Sequence, residues 1–357
     1  MRKVKRIVVK IGSNVLTNVR GFLDTGRIDE LVRQISEIRG SGIEVVIISS
    51  GAVASGRSIF QPRNKLDTVG QRQMWSSLGQ LKLIQSYSGS FEKYGILCSQ
   101  ILVTRDDFRS REHYLNMKNC LSILLTNGII PIVNENDVVS VTELMFTDND
   151  ELAALVATML NADSLYVLTT VDGIYQTLDQ GGQQLITKVM PGEKEYEKHV
   201  FTGKSAFGKG GMLTKAHMAS KVADAGIEVL IANGLKENIL LDLEARKGLY
   251  TEFIPSTGKS SIKKWLSHSK GFEKGSVRIN EGALQALRSR KATSLLPVGV
   301  VQVDGSFKKG DIITIFDMEN NQVGLGMSQY DDIQTREKLG KQNQRPLIHY
   351  DYLFILE

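Results

Sequence analysis

Several short polar segments of this 357-residue chain hold residues that bind anions or set charge against charge. Lys10, Gly12, Ser13 and Asn14 close one β-branched run, and Ser50, Gly51 and Ala52 close another. Asn134, Glu135, Asn136 and Asp137 follow IIPIV, while Thr147, Asp148, Asn149 and Asp150 lead into an apolar helical run. The strand SLYVLT ends at Thr169 and is followed by Thr170, Asp172 and Gly173. A glycine-rich turn, Gly208 to Lys215, precedes a further helix. A small-residue turn that opens a helix presents backbone amides to an anion. Carboxylates as crowded as those of NEND and TDND repel one another unless a cation or an ammonium group balances them. Each segment alone has an ordinary explanation: a solvated rim lysine, a serine N-cap, aspartates complementing a helix dipole. Gly203, Gly208 and Lys209 have the spacing of a Walker A loop. However, Gly210 stands where a Ser or Thr would hold Mg²⁺, and no apolar strand precedes the loop, so a P-loop NTPase is excluded.

The segments gain weight from the elements that must carry them. Val4–Ile11, Glu44–Ser49, Ile96–Val103, Ile129–Val133, Ser164–Thr169 and Glu228–Ala232 read as short, almost wholly apolar strands. Between them, Ile28, Leu31, Ile35 and Ile38 predict a helix stopped by Gly40 and Gly42, and further helices fall around Leu115–Leu125, over Asp150–Leu160 and from Leu213. Strands of that kind alternating with helices predict an α/β domain, an open, mostly parallel sheet sandwiched by helices. Ligands of such sheets bind beyond the carboxyl ends of the strands, where every polar segment named above falls. Residues 253–272, with Pro255, Gly258 and several serines and lysines, read as a linker. Beyond it, VRI, GVVQV, DIITIF, QVGLGM and DYLFIL have the rhythm of a small β-barrel with one helix at Glu281–Arg288. The expected division is 1–252, a linker 253–272, and 273–357.

Composition excludes some classes. With 41% hydrophobic and 23% charged residues the chain is not disordered. Two cysteines, Cys98 and Cys120, make neither a disulfide scaffold nor a zinc site. The basic start has only Ile7, Val8 and Val9 before Lys10, too short for a signal peptide, and no run is long enough to span a bilayer, so a cytoplasmic protein is expected. Of the net charge of +5, residues 253–357 carry +4. That raises RNA as a partner, but Trp265 and Phe272 are the only aromatics near the basic residues, and a solvated linker explains them better.

In order along the chain, VVKIGSNVLT, VIISSGAVASG, IVNENDVVS, FTDNDELAALVA, LYVLTTVDGIY and GKGGMLTKAHMA resemble the amino acid kinase family. Within it, they are most similar to the branch that phosphorylates glutamate. SLLPVGVVQVDGSFKKGDIITIFD resembles the PUA domain that many of that branch carry. The resemblance implies transfer of phosphate from ATP, with Mg²⁺, to the side-chain carboxylate of L-glutamate, the first step of proline synthesis. It implies catalytic lysines Lys10 and Lys215 held by Asp150, and glutamate contacts from Ser50, Asp137 and Asn149, with Asp137 pairing the substrate ammonium. It further implies ATP contacts from Lys10, Thr169, Thr170, Lys209, Gly210, Gly211, Met212, Leu213, Thr214 and Lys215. Proline as feedback inhibitor and a dimer or tetramer follow from the same resemblance. Two positions depart from it: Thr170 stands where many relatives have Asp, and Leu213 where a small hydroxyl residue is frequent. Acetylglutamate kinase, aspartokinase and UMP kinase are the alternatives within the fold; the second domain and NEND favour the glutamate branch.

Overall fold

A computed structural model describes residues 4–64, 66–109, 111–140, 149–178, 182–194, 197, 211–256, 273–288 and 293–356. Thr147, Asp148, Gly208, Lys209, Gly210 and most of the expected linker lie outside the described residues. The apolar runs become strands β1 (Arg6–Ile11), β2 (Glu44–Ser49), β3 (Cys98–Val103), β4 (Ile130–Glu135) and β5 (Ser164–Thr169). A hairpin of β6 (Ile174–Thr177) and β7 (Gln183–Ile186) forms its own two-stranded sheet, followed by β8 (Lys188–Val189), β9 (Glu228–Asn233) and β10 (Tyr250–Phe253). The sheet order is β3-β4-β2-β1-β5-β9-β10-β8. All its pairings are parallel except β9 with β10.

The helices are α1 (Thr25–Gly40), α2 (Ala52–Ile59), α3 (Thr68–Glu92), α4 (Arg105–Arg109), α5 (Arg111–Thr126), α6 (Asn149–Leu160), α7 (Met212–Asp224) and α8 (Ile239–Glu244). Side chains alternate between the faces of a strand, and β1 shows what that does here. Ile7, Val9 and Ile11 enter one core with Ile28, Leu31 and Ile35 of α1, Leu83, Tyr87 and Phe91 of α3 and Leu240 of α8. Val8 and Lys10 face the other side, where α6 lies across β1, β2, β4 and β5. That helix is buried nearly all round, as an element between sheet and neighbouring helix must be. The crossover through α6 carries the chain from β4 past β2 and β1 to β5. Strand order therefore reverses at the centre of the sheet, the place where open α/β sheets bind ligands.

α2 and α3 pack closer than side chains permit. A Cβ on Gly56 would lie 1.8 Å from the Trp75 carbonyl oxygen, and one on Gly79 1.8 Å from that of Ala52. Only glycine admits that approach.

A second unit has its own sheet: β11 (Gly275–Ile279), β12 (Val300–Gly305), β13 (Ile312–Phe316), β14 (Gln322–Met327) and β15 (Leu353–Ile355), in the order β12-β11-β13-β14-β15. Val277, Ile279, Val303, Phe307, Ile313, Ile315, Leu347 and Ile348 build its core with Leu284 and Leu287 of the helix Glu281–Arg288. The chain divides into Met1–Asp107 with Asn116–Thr257, and Phe108–Leu115 with Gly258–Glu357. Among the described residues no helix is long and apolar enough to cross a membrane.

Candidate active site

Lys10 is the penultimate residue of β1 on the α6 face, and Asp150 is the second residue of α6. Their side chains meet with Lys10 Nζ 2.6 Å from Asp150 Oδ1. Lys215, in the first turn of α7, places its Nζ 2.7 Å from Oδ2 of the same carboxylate. The carboxylate is 3% exposed, Lys10 4% and Lys215 13%. Burial pushes the Asp150 carboxyl up, but the two ammonium charges outweigh it and hold the group at about 2. The buried carboxylate thereby holds two positive charges in fixed positions. In a low-dielectric site such a charge stabilises developing negative charge with no reorganisation.

A polar chain continues from this triad across the strand ends. Asn149 Nδ2 donates to Ser50 Oγ at 2.8 Å, and lies within 3.2 Å of Asn134 Oδ1 and 3.3 Å of the Ser49 carbonyl. Ser50 precedes Gly51, whose φ of +104° makes the left-handed turn from β2 into α2. Asn134 Nδ2 donates to Gln80 Oε1 at 2.9 Å. At the far end Arg72 grips Asp137 Oδ1 through Nε at 2.9 Å and a terminal nitrogen at 2.6 Å, and reaches Glu135 Oε2 at 3.3 Å. Burial raises the Asp137 carboxyl above its usual range, against the pull of Arg72.

On the other side of the triad, Thr169 and exposed Thr170 stand at the end of β5, and Gly234 N donates to the Thr169 carbonyl at 2.7 Å. Beside them Lys236 pairs with Asp172 at 2.8 Å, and Arg27 donates to the carbonyls of Gly234 and Lys236. Gly211 is the N-cap of α7 and brings no side chain to the amides of Met212, Leu213 and Thr214, which are thereby suited to an anion.

Of the residues singled out in the sequence, Lys10, Asp150 and Lys215 form one contact cluster, and Ser50 and Asn149 another that adjoins it through Asp150. Asp137 joins through Arg72 and Glu135. Lys209 and Gly210 lie outside the described residues. Sequence reasoning missed Arg72 and Gln80, both from α3. Their spacing with Ser76, Leu83 and Tyr87 is helical, so the face is real, but its first half is polar and gives no apolar signal.

Among the described residues no group of three His, Cys, Asp or Glu side chains is placed to hold a metal ion. The most buried site carboxylate is committed to two lysines.

The amino acid kinase family pattern matches residues 5–233 and the PUA domain residues 275–347. A glutamate 5-kinase of Bacteroides thetaiotaomicron is 50% identical over 353 residues, 98% of each chain. One of Chlorobaculum tepidum is 45% identical over 353 residues, 99% of this chain and 98% of its own. Among solved structures, carbamate kinase from Giardia lamblia bound to AMP-PNP superposes with a TM-score of 0.51 at 20% identity. It covers 72% of this chain and 100% of its own, a likeness of fold.

Proposed function

The chain belongs to the amino acid kinase family and, within it, to the glutamate 5-kinases; from that premise we propose that it transfers the γ-phosphoryl group of ATP to the side-chain carboxylate of L-glutamate, the first step of proline synthesis. The observation that carries the reading is the buried Lys10–Asp150–Lys215 cluster. A carboxylate with a pKa near ~4 is ionised at neutral pH, so the nucleophile needs no general base. What opposes reaction is the approach of one anion to a polyanion. Positioning and charge neutralisation are then the whole task, as in other phosphoryl transfers.

A carboxylate oxygen of the substrate attacks the γ-phosphorus, the bond to the β–γ bridging oxygen breaks, and ADP leaves with that electron pair. Lys10 and Lys215 sit against the transferring group, and Asp150 holds both where the charge develops. Ser50 and Asn149 orient the substrate, and Asp137 receives its ammonium group. ATP lies over Thr169, Thr170 and the segment Gly211–Lys215. Bound with the nucleotide, Mg²⁺ would supply further neutralisation of phosphate charge.

The assay is ATP-dependent formation of hydroxamate from L-glutamate and hydroxylamine. Turnover with L-glutamate is the expected result. Turnover with aspartate or N-acetylglutamate, and none with glutamate, overturns the reading.

A further inference from the structure

Free L-glutamate brings three charged groups, and this inference rests on the glutamate reading above. The lysine cluster meets the side-chain carboxylate, and Asp137 offers an anion to the ammonium. The α-carboxylate needs hydrogen-bond donors, which a cation supplies best. It hangs from the same carbon as the ammonium, so those donors have to stand beside Asp137.

The Arg72 guanidinium stands there. Both of its contacts to Asp137 land on Oδ1, at 2.9 and 2.6 Å, which leaves Oδ2 for the ammonium without displacing the arginine. Exposure points the same way. Asp137 and Glu135 are 8% and 4% exposed, whereas Arg72 is 33%. Of the three side chains, the arginine's is the one solvent reaches most. The helix that supplies Arg72 is fixed in depth, because Gly56 and Gly79 let α3 sit directly on α2, and Gln80, two turns on, is bonded to Asn134. The planar fork of a guanidinium binds carboxylates through paired N–H groups, as a lysine ammonium cannot.

We infer that Arg72 selects the substrate by its α-carboxylate, so that Arg72 and Asp137 together recognise a free amino acid end while the lysine cluster takes the other. The ligand class this defines is an α-amino acid with ammonium and carboxylate both unmodified. An arginine that merely braced Asp137 would affect every ligand with an ammonium group alike, whereas one that binds the α-carboxylate affects only ligands that have it.

The test compares Arg72→Gln and Arg72→Lys with the unaltered full-length enzyme, using L-glutamate, γ-aminobutyrate (glutamate without its α-carboxylate) and glutarate (glutamate without its ammonium). Dissociation constants are read for each, along with KM and kcat for glutamate. In Arg72→Gln, glutamate and glutarate should weaken roughly tenfold to a hundredfold, the range for one lost charge-assisted contact. Binding of γ-aminobutyrate should stay within twofold or tighten. Arg72→Lys, which keeps the charge and loses the fork, should fall between the two for glutamate, and it also reports on folding if the glutamine variant is unstable. Equal losses for glutamate and γ-aminobutyrate in either variant overturn the inference and leave Arg72 as a brace for Asp137. Absence of glutamate turnover in the unaltered enzyme overturns instead the reading on which it rests.

Discussion

Two ammonium groups on one buried carboxylate would be costly without a task, since each ion has left water for a site nearly closed to it. The arrangement makes sense if the two ammonium groups also meet an incoming anion. Lys215→Ala removes half of the arrangement, and it acts where charge develops in the transition state. It should lower kcat roughly a hundredfold to a thousandfold, with the KM for glutamate changed far less. An unchanged kcat would remove Lys215 from the catalytic set. The same variant has a signature in stability. Asp150 titrates at about 2 in the folded protein, below the ~3.9 of an unfolded aspartate. Its stabilising effect is therefore complete above about pH 4 and lost as pH falls towards about 2. Without Lys215 the folded group titrates closer to the unfolded value, so less is lost on acidification. Urea midpoints should show the gap between the two proteins narrowing as pH falls from 6 towards 3. A gap that widens would contradict the charge assignment.

At the scale of elements, α3 sets where Arg72 and Gln80 meet Asp137, Glu135 and Asn134. Arg72, Ser76, Gly79, Gln80, Leu83 and Tyr87 form one helical face: the first positions touch Asp137, Glu135 and Asn134, and Tyr87 reaches Ser49 at 3.1 Å. Gly79→Ala forces a Cβ to within 1.8 Å of a backbone oxygen, which cannot move aside as a side chain can. Overpacking of this kind costs about 1–3 kcal/mol or more, and it should raise the KM for glutamate as α3 shifts. Gly89, on the same helix, has nothing within 4 Å of its missing Cβ, so Gly89→Ala should stabilise by about 0.5–1 kcal/mol through helix propensity. Thermal melts of the pair check the contrast; equal effects would refute the close-packing account. The same helix shows where sequence reading stops. β2 and β5 were legible to the residue because both faces of a central parallel strand are buried and the run is continuously apolar. α3 was not legible, because the face it buries begins with serine, glycine and glutamine before it becomes apolar at Leu83. Lys10, Asp150 and Lys215 were visible from motif and strand-end position. Arg72 was not, because what marks it is a contact with Asp137, 65 residues away in the sequence.

At the scale of the whole chain, most of the net charge lies in residues 253–357, and the residues that the kinase reading uses all precede them in the sequence. The two units have separate cores, one around β1, α1 and α3 and one around β11 and β13, with no residue in common. Each sheet also closes its hydrogen bonding within its own unit. A ligand that binds only the folded kinase unit stabilises that unit alone by mass action, about 2.7 kcal/mol at a hundred times its dissociation constant. Calorimetry of the full chain with L-glutamate and a non-hydrolysable ATP analogue should therefore raise the unfolding transition of the kinase unit by several degrees. The heat associated with the C-terminal unit should remain where it was. For a unit of that size, below 150 residues, unfolding in one cooperative step is the norm. If both transitions moved together by the same amount, the two cores would be one cooperative system, and the C-terminal unit would share in the energetics of substrate binding.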